Sequence, residues 1–188
     1  MGFALCGSFC THQAALSALE QLAAVYETVI PIVSETVAAT DTRFGTAADL
    51  LSRLEEMTGR PALRSIRETE PIGPKGLLDL LVIAPATGNT LAKLAAGIAD
   101  TSVTMAAKAH LRNRRPVVVA VSSNDALAAG ARNIGELLGR RHYYFVPFRQ
   151  DSPAGKPASL VADFTQISRT VDAALRGEQV QPLLLGQA

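Results

Sequence analysis

"LLDLLVIAPATGNT", residues 77–90, passes from an unbroken apolar run into Pro, Thr, Gly, Asn and Thr, and "LAKLAAGIAD" (91–100) follows as a helix built of small residues. An apolar run without polar alternation is the pattern of a strand covered on both faces, so Leu80 to Ala84 are expected to form a central parallel strand. Polar residues at the carboxyl end of such a strand stand where open α/β sheets bind ligands.

On either side of this stretch, strand-like and helix-like segments alternate. "GFALC" (2–6) precedes a helix that Thr11 can cap, with Leu16, Leu19, Leu22 and Ala23 on its apolar face. "TVIPIVS" (28–34) is β-branched, and a helix opening at Thr46 or Asp49 ends near Gly59 and Pro61. Beyond the small-residue helices of 88–112 comes "RPVVVAVSSND", a second apolar run; then a helix stopped at Gly139, and a last strand from His142 to Val146. Residues 159–177, "SLVADFTQISRTVDAALRG", read as a closing helix with Ser159 at its start. Such alternation predicts a doubly wound parallel sheet of Rossmann-like type in a three-layer α/β/α arrangement. Residues 1–177 are expected to make one domain and 178–188 a tail that is frayed or used in a contact.

Composition excludes several classes. The chain has 188 residues, 48% hydrophobic, enough for one substantial core. Its 18 basic and 17 acidic residues leave a net charge of +1, which gives no general attraction to nucleic acid or to an anionic membrane. Cys6 and Cys10 are too few and too close for a disulfide scaffold, and as a C-x3-C pair with no metal-spaced partners they read as buried small hydrophobes rather than ligands. No metal site is expected. The start lacks a basic leader pattern, and the apolar runs fall short of the ~20 residues of a membrane span. A soluble chain in a reducing cytoplasm is the expectation.

A sheet of this kind assembles its ligand edge from strand ends: Gly7 and Ser8, Ser34 to Thr36, Pro85 to Thr90, and Ser122 to Asp125, all small or polar. Such loops present backbone N–H groups to a phosphate without obstruction, so a phosphate-bearing cofactor is expected. A stand-alone nicotinamide enzyme would want G-x-G-x-x-G after the first strand; "CGSFCTH" supplies Gly7, and Glu35 stands where a ribose-binding acid belongs. NAD or NADP therefore remains open here. No nucleophile elbow or chain-ordered triad is present. The basic run "HLRNRR" (110–115) reads as the end of a helix against its dipole, or as a surface for an acidic partner. His12 reads as a capping or surface residue, or as a proton donor beside a cofactor.

"APATGNTLAKLAAGIADTSVTMAAKA" (84–109) resembles the flavoprotein fold family that includes flavin-dependent cysteine decarboxylases and prenyl-flavin synthases, whose motif reads Pro-Ala-Ser-Ala-Asn-Thr before a helix in the same register. Thr87 replaces the Ser and Gly88 the Ala. "CGSFCTH", "NIGELL" and "YYFVPFRQDSPAGKPASLVADF" extend the likeness to essentially the whole chain and resemble the B-subunit family of dipicolinate synthases. The resemblance implies FMN as cofactor. Gly7, Ser8, Ser34, Thr36, Thr87, Asn89, Thr90, Ser122 and Ser123 would bind it, and Asn89 and Asn124 would stand at the reacting centre. It also implies a separate A subunit with nicotinamide-binding machinery, a dicarboxylate substrate oxidised to dipicolinic acid during sporulation in the mother cell, and self-association as a trimer or dodecamer.

The departures from the family pattern bear on the chemistry. The decarboxylases carry a catalytic His after the second strand, and residues 35–75 contain none; their Pro-x-Met-Asn motif appears as "VSSND", which keeps only Asn124. Loss of a hydride needs a nicotinamide or a flavin, because no side chain accepts one. Substrate carboxylates need cationic partners, for which Lys93, Lys108, Arg43 and Lys156 are candidates. Three readings stand open from sequence: a catalytic subunit with an FMN or nicotinamide pocket, a non-catalytic scaffold for the A subunit, and a stand-alone FMN-dependent decarboxylase.

Overall fold

β1 (Gly2–Leu5), β2 (Ile30–Val33), β3 (Leu81–Ala86), β4 (Val117–Ser123) and β5 (Tyr143–Phe145) lie parallel, in the order β2-β1-β3-β4-β5, in a computed structural model that describes residues 1–186. The two apolar runs picked out in the sequence are the central pair. Leu81 to Ala84 and Val117 to Val121 are fully buried, and each Leu, Val or Ile side chain among them contributes about 1.5–3 kcal/mol by leaving water.

Helices cover both faces. α1 (His12–Val25) crosses from β1 to β2, whereas α5 (Gly88–Ala96) and α6 (Ser102–Leu111) cross from β3 to β4 in the opposite lateral direction. Right-handed crossovers therefore put α1 on one face and α5 and α6 on the other. α1 opens through a 3-10 turn, Phe9–Thr11, and the Thr11 hydroxyl makes no cap bond. It donates instead to the Ser8 carbonyl, 2.9 Å away. Between β2 and β3 run the short helix α2 (Glu35–Ala39), α3 (Ala47–Thr58), capped by Thr46, and α4 (Ile66–Thr69). α7 (Ala131–Leu138) ends at Gly139, as the sequence predicts.

The carboxyl-terminal region departs from the sequence reading. β5 is not the last strand: β6 (Phe148–Ser152) and β7 (Lys156–Ala162) form an antiparallel hairpin, making seven strands. β5 accompanies β4 only as far as the Val119–Phe145 pair, which leaves the end of β4 as an open edge. β7 fills it, with Ser122 opposite Val161 and Ser123 opposite Leu160. Only the second half of the expected 159–177 helix is helical, as α8 (Ile167–Leu175) after a 3-10 turn. Ser159 lies inside β7, not at a helix start.

Residues 179–185 run back along β5 and β6. The Gln179 amide bonds both the N–H and the carbonyl of Phe145, at 2.7 Å each, and Phe148 exchanges backbone bonds with Leu183 and Leu185. No helix among the described residues is long and apolar enough to cross a membrane.

Candidate functional site

The strand order reverses direction between β1 and β3, so the loops leaving these two strands part there and open a crevice at the carboxyl edge of the sheet. Gly7 packs beneath Thr87: a Cβ on Gly7 would come to 3.5 Å from the Thr87 methyl. Ser8 follows in a left-handed backbone conformation, φ 61°, which costs a non-glycine residue about 1–2 kcal/mol. That turn aims its hydroxyl across the sheet at the Ser122 hydroxyl, 2.5 Å away, with the Thr11 hydroxyl 3.4 Å from Ser122. The three hydroxyls face a cleft of about 460 Å³ whose walls also include Thr87, Gly88, Ser123 and Asn124.

Gly88 shapes one wall. A Cβ there would lie 2.6 Å from both the Ser123 hydroxyl and the Asp125 carboxylate, so the glycine that replaces the family's alanine lets the β4 loop close against the start of α5. Ser123 in turn donates to Asp125.

The opposite wall comes from the hairpin that sequence reading did not anticipate. Asp151, Lys156 and Ser159 line the cleft together with Cys10. Lys156 donates to Asp151 at 2.7 Å, a bond that raises the ammonium pKa, and Ser159 donates to the Asn124 side-chain oxygen at 3.4 Å. Residues 158–162 carry no strand alternation, and a helical spacing runs through them, so no local signal marked this strand.

Of the residues singled out in the sequence, Ser8, Thr87, Ser122, Ser123 and Asn124 are brought together in this cleft, with Gly7 beneath it. Asn89 is not among them; it lines a separate surface groove with Lys93, Arg132 and Glu136. Thr90 is buried and bonds the Thr87 hydroxyl at 3.1 Å. Ser34 caps α2 through the Val37 N–H, and Thr36 is exposed on that helix. The Glu35 carboxylate accepts from the Ser102 N–H at 2.8 Å and so caps α6.

His12 is buried, not on the surface. Its Nε2–H donates to the Cys6 carbonyl at 2.9 Å, and desolvation lowers its pKa. Cys6 is buried with its thiol pushed up to about 11, chiefly by desolvation, but Cys10 is exposed, contrary to the reading of both as core residues. Among the described residues no group of three metal-ligating side chains occurs.

A family model described as Flavoprotein matches residues 5–131. The B subunit of dipicolinate synthase from Bacillus subtilis (strain 168) is 44% identical over 98% of this chain and 92% of its own length. The chain belongs to the dipicolinate synthase B-subunit family of flavoproteins. The crystal structure of a dipicolinate synthase B subunit from Bacillus halodurans superposes with a TM-score of 0.91 at 44% identity, covering 100% of this chain and 96% of that one. The FMN-dependent cysteine decarboxylase SpaF follows with a TM-score of 0.65 at 25% identity, covering 92% and 95%. Membership in this family bears out the doubly wound flavoprotein fold expected from the sequence, here with an antiparallel hairpin at one edge.

The cleft's donor set has the chemistry a flavin mononucleotide would need. Ser8 and Ser122 share one hydrogen bond, which leaves one O–H of the pair to donate to a phosphate oxygen or a polyol chain, while Thr11, its hydrogen given to the Ser8 carbonyl, offers oxygen lone pairs beside them. Asp151, the carboxylate that lines the cleft, is engaged by Lys156, and Asp125 in the β4 loop is engaged by Ser123. The cleft volume lies within the range of cofactor sites. The residues present fit the group.

Proposed function

We propose that this chain is the flavin-binding B subunit of a dipicolinate synthase. In this reading it holds FMN at the carboxyl edge of the sheet and acts with an A subunit to oxidise a dihydrodipicolinate-derived precursor to pyridine-2,6-dicarboxylate. The observation that carries this reading is the convergence of Ser8, Thr11 and Ser122 from two strand ends onto one cleft. Bound FMN supplies a two-electron acceptor, which no side chain of the chain provides. The chain's own residues would do the holding: the Ser8–Ser122 hydroxyl pair would donate to the FMN, Thr11, Thr87 and Ser123 would flank it, and Asn124 would present an amide at the mouth. The A subunit, a dicarboxylate substrate and self-association belong to the same proposal.

The decarboxylase reading has less support. His12, adjoining the first loop, keeps its Nε2–H on the Cys6 carbonyl and its pKa lowered, so it carries no proton to donate as a cation near neutral pH.

The test is direct. The purified chain is scanned from 300 to 500 nm, and FMN is titrated into the colourless form with fluorescence quenching as the readout. Saturable quenching that weakens at least tenfold in Ser122→Ala supports the reading. Absence of binding, in a chain that restores dipicolinate formation when mixed with the A subunit, overturns it and leaves a scaffold subunit.

A further inference from the structure

Four cations were candidates for receiving a substrate carboxylate, and the structure separates them. Lys93 pairs with Asp100 at 2.8 Å and lines the separate groove of Asn89. Arg43 lies over the Phe44 ring, 4.8 Å from its centre. Lys108 lines a different cleft, beside His142 and Tyr143 at the start of β5. Lys156 alone reaches the cleft of Ser8 and Ser122, and it carries the one cation among the described residues that line it.

We infer that Lys156 is the carboxylate-reading residue of this cleft, and that Asp151 occupies its ammonium until a ligand carboxylate takes over. This rests on the proposed reading of the cleft as one that serves a dicarboxylate. Three observations carry it. The Lys156–Asp151 pair is solvent-exposed, a setting in which an ion pair adds little to stability, so holding the hairpin together does not account for it. An ammonium has three donors, and Asp151 takes one, leaving two for an incoming anion. The hairpin is also fixed in place: Ser152 pairs with Lys156, and Leu160 and Val161 pair with Ser123 and Ser122. Lys156 is thereby held on the same cleft as Asn124, whose amide NH2 is able to donate to a carboxylate. Sequence placed this lysine in a loop before a helix; its position on a strand beside β4 gives it a directed role.

The probe is pyridine-2,6-dicarboxylate, titrated calorimetrically into the full chain with and without saturating FMN. Lys156→Gln is expected to weaken its binding at least tenfold, Lys156→Arg to retain most of it, and Asp151→Asn to tighten it severalfold by removing the internal competitor. FMN affinity is expected to stay within twofold in all three. Equal dicarboxylate binding by Lys156→Gln overturns the inference. So does parallel weakening in Asp151→Asn, the result for a pair that merely shapes the hairpin, and so does loss of FMN rather than dicarboxylate in Lys156→Gln, which would give the lysine to the phosphate. A parent chain that binds FMN but not the dicarboxylate overturns this inference and leaves the flavin reading standing. Lysine-dependent dicarboxylate binding without FMN binding does the reverse.

Discussion

The hydroxyls of Ser8 and Ser122 lie 2.5 Å apart although 114 residues separate them in the chain. The pair joins the loop after β1 to the end of β4, and Ser8 takes a left-handed backbone to make it. Two opposed effects are therefore separable at position 8. Ser8→Gly removes the hydroxyl but relieves a conformation that costs a side chain about 1–2 kcal/mol, whereas Ser8→Ala removes the hydroxyl and keeps the cost. Thermal unfolding is expected to show Ser8→Gly at or above the parent Tm and Ser8→Ala below it. Both are expected to lose about tenfold in FMN affinity, the equivalent of one hydrogen bond of ~1.4 kcal/mol. Parent-like FMN binding in both variants would remove Ser8 from the site.

Gly88→Ala places helix propensity against packing. Alanine at an exposed helical position gains up to about 1 kcal/mol over glycine, but here its Cβ meets the Ser123 hydroxyl and the Asp125 carboxylate at 2.6 Å, and overpacking costs about 1–3 kcal/mol. Packing wins, so the variant is expected to be less stable and to bind FMN more weakly, because the β4 loop is pushed out of place. Asp125→Gly in the same chain is expected to return part of the stability. An unchanged Tm in Gly88→Ala would show that the loop yields freely.

The two cysteines should differ sharply towards a thiol reagent. Thiolate is the reactive form, and burial holds the Cys6 thiol near 11, whereas Cys10 is exposed on the cleft. N-ethylmaleimide at pH 7 is expected to label Cys10 in the folded chain and both residues after unfolding in guanidinium. FMN or the dicarboxylate probe is expected to slow labelling of Cys10 severalfold. Unprotected labelling at saturating concentrations of both would place them outside the cleft as described.

The parallel core and much of the cleft were legible because the evidence for them is local. Leu81 to Ala84 and Val117 to Val121 are continuous apolar runs, and Ser8, Thr87 and Ser122 each lie at or just beyond the carboxyl end of a strand. The hairpin was not legible. Leu160, Phe164, Ile167, Val171 and Ala174 keep a helical spacing through β7 and α8 alike, and the deciding fact is non-local: β4 outruns β5 and leaves an edge that β7 pairs with. Asp151, Lys156 and Ser159 reach the cleft only through that pairing. Asn89 lies outside this cleft for a geometric reason: a residue two positions into the helix from the Thr87 cap turns onto the outer groove, while the cap residue faces the cleft.

Acid sensitivity is expected from two buried histidines. His110 donates Nε2–H to the Pro116 carbonyl at 3.0 Å, its Nδ1 is buried without a partner, and desolvation is the leading cause of its lowered pKa; His12 is lowered for the same reason. In both, the folded state resists a proton that the unfolded chain accepts below the ordinary value of 6.5. The unfolded state thus binds more protons between that value and each lowered folded value, so stability rises with pH across this window. Their contribution is fully present above about pH 6.5 and is lost as the pH falls through and below it. For a chain of this size each kcal/mol lost lowers Tm by roughly 2–4 °C. His110→Gln can keep a donor for the Pro116 carbonyl and cannot titrate, so its Tm is expected to fall less steeply than the parent's between pH 7 and 5. Parallel profiles for the two proteins would show that His110 is protonated as readily in the folded chain as in the unfolded one.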